Sequence, residues 1–283
     1  MAGDVAGDVA TLFLLYPEWQ GSGHSPAVQR GALTIARELF PHTHFLIVDS
    51  PDEETLERTG GVVGLHSIAP RFRETLSRIR AAAPDVIVTI GGTCGVEAAP
   101  IAYLNERCDG DLAVVWLDAH GDLNTPQSSP SGHFHGMVLR TLLGDGPAEY
   151  VGELRRPLRP AQVFLAATRD LDPPERDFVE HAGICVTQPD AFSDAARLVD
   201  EIRSRGFSRA YVHLDLDALN PADFSDTLIP TTGGPPVDLV RTMIGTLSRA
   251  FTLVGTSVLE YVHGGTSSLR LIDELLASSG LTR

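Results

Sequence analysis

The stretch LAVVWLDAHGDLNTP, residues 112–126, starts as an unbroken apolar run and ends in three ionisable side chains, Asp118, His120 and Asp122, spaced two apart. Its apolar half predicts a strand covered on both faces, because a half-exposed antiparallel strand would alternate apolar with polar residues. In extended chain a spacing of two puts all three side chains on one side. The pattern recurs in RAYVHLDLDALNP, residues 209–221, where Asp215 and Asp217 close a second apolar run and share one face.

Six further runs have the same character: TLFLLY at 11–16, HFLIVD at 44–49, DVIVTI at 85–90, VFLAAT at 163–168, ICVTQ at 184–188 and LVGTSVLEY at 253–261. Amphipathic segments lie between them, at 27–40, 69–83, 193–204, 237–251 and 267–279. In the second of these, Phe72, Leu76 and Ile79 recur at helical spacing while Arg and Glu take the other face. Eight strands alternating with helices predict a mostly parallel sheet covered on both faces. No linker or low-complexity block divides the chain, so residues 1–283 read as one domain. In open α/β sheets the site lies at the carboxyl ends of the strands, where the acidic clusters sit.

The chain has 283 residues, 43% apolar, with 37 acidic against 22 basic side chains and a formal charge of −15. That balance argues against nucleic acid or an anionic membrane as partner and leaves carboxylates free to hold a cation. The three cysteines, Cys94, Cys108 and Cys185, form neither a disulfide framework nor a zinc cluster, and they suit a reducing cytosol. A cytoplasmic protein is the expectation. The opening MAGDVAGDVA lacks the basic and apolar regions of a signal peptide, and residues 1–10 read as a loose tail. No apolar run approaches the roughly 20 residues needed to span a bilayer. A homo-oligomer stays open.

A lone acid at a strand end is ordinarily a helix cap or loop residue. Two acidic sets, each at the carboxyl end of a β-run, point to a cation. Burying them without one would cost several kcal/mol per charge. Oxygen-rich donors with one imidazole suit Mn²⁺, and Fe²⁺ or Zn²⁺ less well.

DAHGDLNTP, followed by SGHFHGM at 131–137 and DLDALNP at 215–221, resembles the arginases of the ureohydrolase superfamily. The resemblance runs over nearly the whole chain and takes in GGTCG at 91–95, TRDLDPPE at 168–175 and VLEYV at 258–262. It implies a three-layer α/β/α fold, a dinuclear manganese site, and hydrolysis of a guanidino or related C–N bond by metal-activated water. One metal would be held by Asp118, His120, Asp215 and Asp217. The other would take Asp118, Asp122, Asp215 and a histidine, but Cys94 stands where the family has that histidine. Either Cys94 ligates, with a bias toward Zn²⁺ or Fe²⁺, or the second metal is weak or absent; a small buried filler is the bland reading. The expectation is one firmly bound Mn²⁺. Thr93 and Asn220 also depart from the family pattern, each standing where the family has an acid.

The resemblance further assigns Asn124, Ser131, Asp172 and Glu175 to the α-carboxylate and α-ammonium of an amino acid, with His133 in place of a family Asn. It makes His135 the proton shuttle, Glu260 the acid facing the guanidinium, and Asp122 the relay to the leaving nitrogen. A Cys variant of the metal motif resembles the Nω-hydroxy-L-arginine hydrolases of antibiotic pathways. Nω-Hydroxy-L-arginine is therefore the favoured substrate, giving L-ornithine and hydroxyurea, with L-arginine giving ornithine and urea as the near alternative. Another ureohydrolase, acting on agmatine, a guanidino acid or formiminoglutamate, and a non-catalytic metal-binding relative are the other readings. Retention of His135 and Glu260 argues against the last. His213 and His24 read as structural or loop residues, and His263 is left unassigned.

Overall fold

Each of the eight apolar runs forms a strand, and all eight pair in parallel. In the computed structural model, which describes residues 9–23, 26–52, 54–262 and 264–282, the strands are β1 (Thr11–Tyr16), β2 (Phe45–Ile47), β3 (Val86–Gly91), β4 (Ala113–Leu117), β5 (Val163–Ala166), β6 (Cys185–Thr187), β7 (Arg209–Leu214) and β8 (Thr252–Val258). They form one sheet in the order β2-β1-β3-β8-β7-β4-β5-β6. The expected residues 1–8 of the tail, His24 and His263 lie outside the described residues.

Seven longer helices cover the sheet: α1 (Ala27–Leu39), α2 (Leu65–Ala82), α3 (Ala98–Arg107), α4 (Pro173–Ala182), α5 (Ala195–Ser204), α6 (Val237–Ala250) and α7 (Thr266–Ser278). Strand alternation divides the core. Val115 and Leu117 of β4 pack with α1, α5, α6 and α7 on one face, whereas Val114 and Trp116 pack with α2 and α3 on the other. The result is a three-layer α/β/α arrangement with both sheet faces dry, as continuously apolar strands require. Helix α2 starts at Leu65, four residues before the expected start at 69, and carries Pro70 in its second turn, where the missing N–H leaves the His66 carbonyl without its intrahelical donor. A two-stranded hairpin, Arg58–Thr59 with Val62–Val63, precedes it.

The sheet order brings four strand ends together. Strands β3, β8, β7 and β4 are consecutive neighbours, and the segments leaving them carry Cys94, Glu260, Asp215 and Asp118. The register is tight at this edge: the Asp215 amide donates to Leu117 O at 2.9 Å, and Asp215 bridges Leu259. Among the described residues no helix is long and apolar enough to cross a membrane.

Helix α1 approaches the chain just beyond β8 so closely that only glycine fits. A Cβ at Gly31 would lie 1.8 Å from Tyr261 O. Gly31→Ala must therefore push α1 away from the segment that carries Glu260. Chemical denaturation should show a loss of about 1–3 kcal/mol, the usual cost of overpacking a dry contact; unchanged stability would show that α1 is free to shift.

Candidate metal centre

Asp118, His120 and Asp122 are gathered by a turn, not by strand alternation. The strand ends at Leu117, and Asp118 Oδ1 accepts the His120 amide at 2.7 Å. Asp122 then adopts a left-handed conformation, φ 52°, which turns its carboxylate back under the sheet edge. The second acidic pair behaves alike. Asp215 Oδ1 caps a short turn by accepting the Asp217 amide at 2.8 Å. The one-face reading of both motifs thus needs correction: the side chains converge, but through Asx-type turns that bend the chain.

The turns meet. His120 Nδ1 lies 2.9 Å from Asp217 Oδ2 and 3.4 Å from Asp118 Oδ1. Asp217 Oδ1 accepts the Ala119 amide at 3.0 Å, tying the two loops together. Cys94 opens a short turn after β3; its Sγ lies 3.1 Å from Asp215 Oδ2 and 4.0 Å from Asp118 Oδ2. Its amide donates to Glu260 Oε1 at 3.0 Å. Glu260, also left-handed at φ 62°, holds His135 Nδ1 3.2 Å from the same oxygen.

These groups repel one another in a dry floor. Asp118, Asp122, Asp215, Asp217 and Glu260 are each at most 5% exposed. Burial pushes Asp122 and Asp215 well above the usual carboxylate range, and Asp118 beside the first and Asp217 beside the second push further. Burial, then Asp118, raises Asp217 to about 6. Asp118 is the exception: burial raises it, but hydrogen bonds from His120 and His213 outweigh that and hold it low. Burial opposes charge on His120, yet Asp118 and Asp217 hold it well above the ordinary imidazole range. Burial, then Asp215, raises the Cys94 thiol.

A cation resolves this repulsion, and the donors fit one. Asp118, His120 and Asp217 form one close group, and Cys94, Asp118, Asp122 and His213 form another. Asp122 Oδ2 and Glu260 Oε2 are buried and accept no hydrogen bond from the protein. Buried carboxylate oxygens are almost always satisfied, so an orphan pair in one floor marks a missing positive partner.

The floor opens into a cavity of about 230 Å³. Asn124, Ser131, Asp172 and Glu175 line its wall, as do His120, His135 and Glu260 nearer the floor. Asn124 Nδ2 donates to Asp172 Oδ2 at 2.8 Å. Glu175 accepts the Leu123 and Asp172 amides at 2.8 and 2.9 Å, clamping the loop of Asn124 to the start of α4. Burial raises Glu175 to about 7. His133 does not line this cavity; it lies against Gly23, its ring 6.0 Å from that of His135.

Sequence reasoning passed over three residues here. Glu18, 1% exposed after β1, accepts the Gly21 amide and is raised to about 7 by burial. Trp116 donates its indole N–H to Asp118 Oδ2 at 3.1 Å. Glu97 is fully buried behind His213. Only the position of Glu97 three residues after Cys94 marked it in the sequence.

The Arginase family profile matches residues 24–262. The chain belongs to the arginase family. The arginase of Staphylococcus aureus strain COL is 33% identical over 156 residues, 52% of this chain and 50% of that protein. The N(omega)-hydroxy-L-arginine amidinohydrolase of Streptomyces lavendulae is 32% identical over 168 residues, 57% of this chain and 58% of that protein. The chain thus matches about half the length of these relatives. The arginase of Entamoeba histolytica, solved in complex with L-ornithine, has the same fold: TM-score 0.87, 18% identity, 95% of this chain and 98% of that one. The paired donor groups suit the two-metal chemistry of the arginase family.

His120→Ala should remove most of the tightly held divalent metal, since His120 is the imidazole of the first donor group. Elemental analysis after dialysis checks this; an unchanged metal content would mean the metal sits elsewhere.

Proposed function

We propose that this arginase-family protein hydrolyses a guanidino C–N bond of an arginine-type amino acid, within a single hydrolase domain. The observation that carries the reading is the cavity itself: metal donors and an unpaired Glu260 oxygen at its floor, and the Asn124–Asp172 pair on its wall. The acidic floor suits a cationic head and the Asn124–Asp172 pair on the wall suits an amino-acid end, so the pocket has two polarities.

Asp118, His120, Asp215 and Asp217 would hold manganese firmly, and Cys94 leaves the second position poor for that hard ion. When bound, manganese would supply Lewis acidity, making water a nucleophile near neutral pH. Glu260 Oε2 accepts the guanidino N–H groups and fixes the carbon over the floor. Asp122 carries the proton to the leaving nitrogen. His135, its side chain 16% exposed and in contact with Glu260, moves protons between floor and solvent. Asn124, Ser131 and Asp172 hold the α-carboxylate and α-ammonium.

Nω-Hydroxy-L-arginine is the favoured substrate, giving L-ornithine and hydroxyurea. Its guanidine is less basic than that of arginine, which suits a centre with weaker manganese occupancy. The Streptomyces lavendulae relative, named for that substrate, supports the same choice. L-Arginine, giving ornithine and urea, is the second reading, since arginases are among the relatives.

Purified protein given manganese and a panel of guanidines decides between these. Nω-Hydroxy-L-arginine should be turned over best. Agmatine, lacking the carboxylate, should lose more than about tenfold in kcat/KM, a decade being roughly 1.4 kcal/mol. Agmatine cleaved as well as the amino acids would overturn the two-polarity pocket, and a wholly inert panel would overturn the hydrolase reading.

A further inference from the structure

We propose that His213 is a metal ligand, and that with Cys94, Asp118 and Asp122 it forms a four-donor site for a borderline divalent cation such as zinc or cobalt. The site lies beside the manganese position at His120. This rests on the reading of the floor as a metal centre.

His213 projects from β7 two residues before Asp215 and is completely buried. Its Nε2 lies 3.6 Å from Cys94 Sγ and 3.6 Å from Asp118 Oδ2, and Sγ lies 4.0 Å from that same oxygen. With a carboxylate oxygen of Asp122, all four donors fall within 4.8 Å of one another. A tetrahedral ion with bonds of about 2.3 Å to sulfur and about 2.0–2.1 Å to nitrogen and oxygen spaces its donors roughly 3.4–3.6 Å apart. Two of the three measured edges match that spacing, and the third needs only a small inward movement of the thiol.

The other side of the ring is built for the same task. A metal-bound imidazole generally gives its second N–H to a carboxylate, which fixes ring and tautomer. His213 Nδ1 faces Glu97 Oε2 at 3.3 Å. Glu97 is itself held by the Tyr211 hydroxyl at 3.0 Å and the Ser257 hydroxyl at 3.0 Å. When a metal displaces the Nε2 proton that otherwise goes to Asp118, Nδ1–H donates to Glu97 and the Nε2 lone pair points at Cys94 and Asp118. The ring plane is locked by stacking on Trp116, 5° from parallel. A histidine placed only to fill the core would not need its free nitrogen set between a thiol and a carboxylate.

Two further observations point to an ion. Asp122 Oδ2 is buried and unpaired. Asp118 divides its oxygens: Oδ1 faces His120 and Oδ2 faces His213, so one carboxylate serves both positions. Sulfur, imidazole and two carboxylates make a donor set that zinc and cobalt accept and manganese does not favour.

The test titrates metal-free protein with cobalt and zinc alone. Cobalt should develop the intense near-ultraviolet absorption of a sulfur-to-cobalt bond. His213→Asn should weaken that binding without altering manganese held at His120. Glu97→Gln, which keeps the shape but removes the carboxylate charge facing the ring, should weaken it about 10–100-fold. If His213→Asn fails to fold, X-ray absorption on zinc-loaded His120→Ala reads the same point without touching His213. One sulfur and one imidazole on a single zinc would support the site, and sulfur without imidazole would overturn it. No sulfur-to-cobalt band, or the same affinity in folded His213→Asn, would also overturn it. Hydrolysis of the guanidino amino acid with no sulfur-bound metal would sink this inference and leave the proposed function standing. A His213-dependent sulfur site in a hydrolytically inert protein would do the reverse.

Discussion

Negative charge packed into a dry space is the constraint on which the rest depends. Asp118, Asp122, Asp215, Asp217 and Glu260 share one floor and almost no solvent. Without a positive partner Asp122, Asp215 and Asp217 are pushed toward holding protons, and proton release then accompanies metal binding. The parallel sheet makes the crowding possible. It aligns four carboxyl ends side by side, and its two apolar layers hold those ends in place. The hydrogen bond from the Asp215 amide to Leu117 O and the bridge from Asp215 to Leu259 show strand pairing running straight into the site.

The strands were legible because continuous apolar runs have few other uses. Helices α3 and α4 were not, for opposite reasons. Residues 98 to 105 of α3 are all buried, so no polar stripe marks its period. Helix α4 opens on Pro173 and Pro174 and reads as a loop, although Asp172 and Glu175 form a capping box that signals its start. Helix α4 was readable from its start signal and not from periodicity.

The acidic motifs were legible as a set, but their local shape was not. Spacing two apart suggested an extended chain, whereas Asx-type turns, with a left-handed Asp122 in the first motif, do the gathering. His213 shows the deeper limit. Its partners Cys94, Glu97 and Asp118 come from segments more than ninety residues away in the chain, or from the neighbouring strand, and no local pattern brings them together. In the sequence it is one more inward residue of an apolar strand. Only the sheet order reveals what it faces.

Ala167, Asp122 and Glu260 have φ of 70°, 52° and 62°, and all three lie in segments that follow the carboxyl end of a strand. Side chains in that region cost on the order of 1–3 kcal/mol each, and glycine would relieve it. At Asp122 and Glu260 the relief would delete a carboxylate. A lineage that drifts under selection for stability alone would therefore lose its chemistry first at these two positions, while strands, layers and pocket walls persisted. An arginase-fold protein carrying glycine at both would be the fossil of an enzyme.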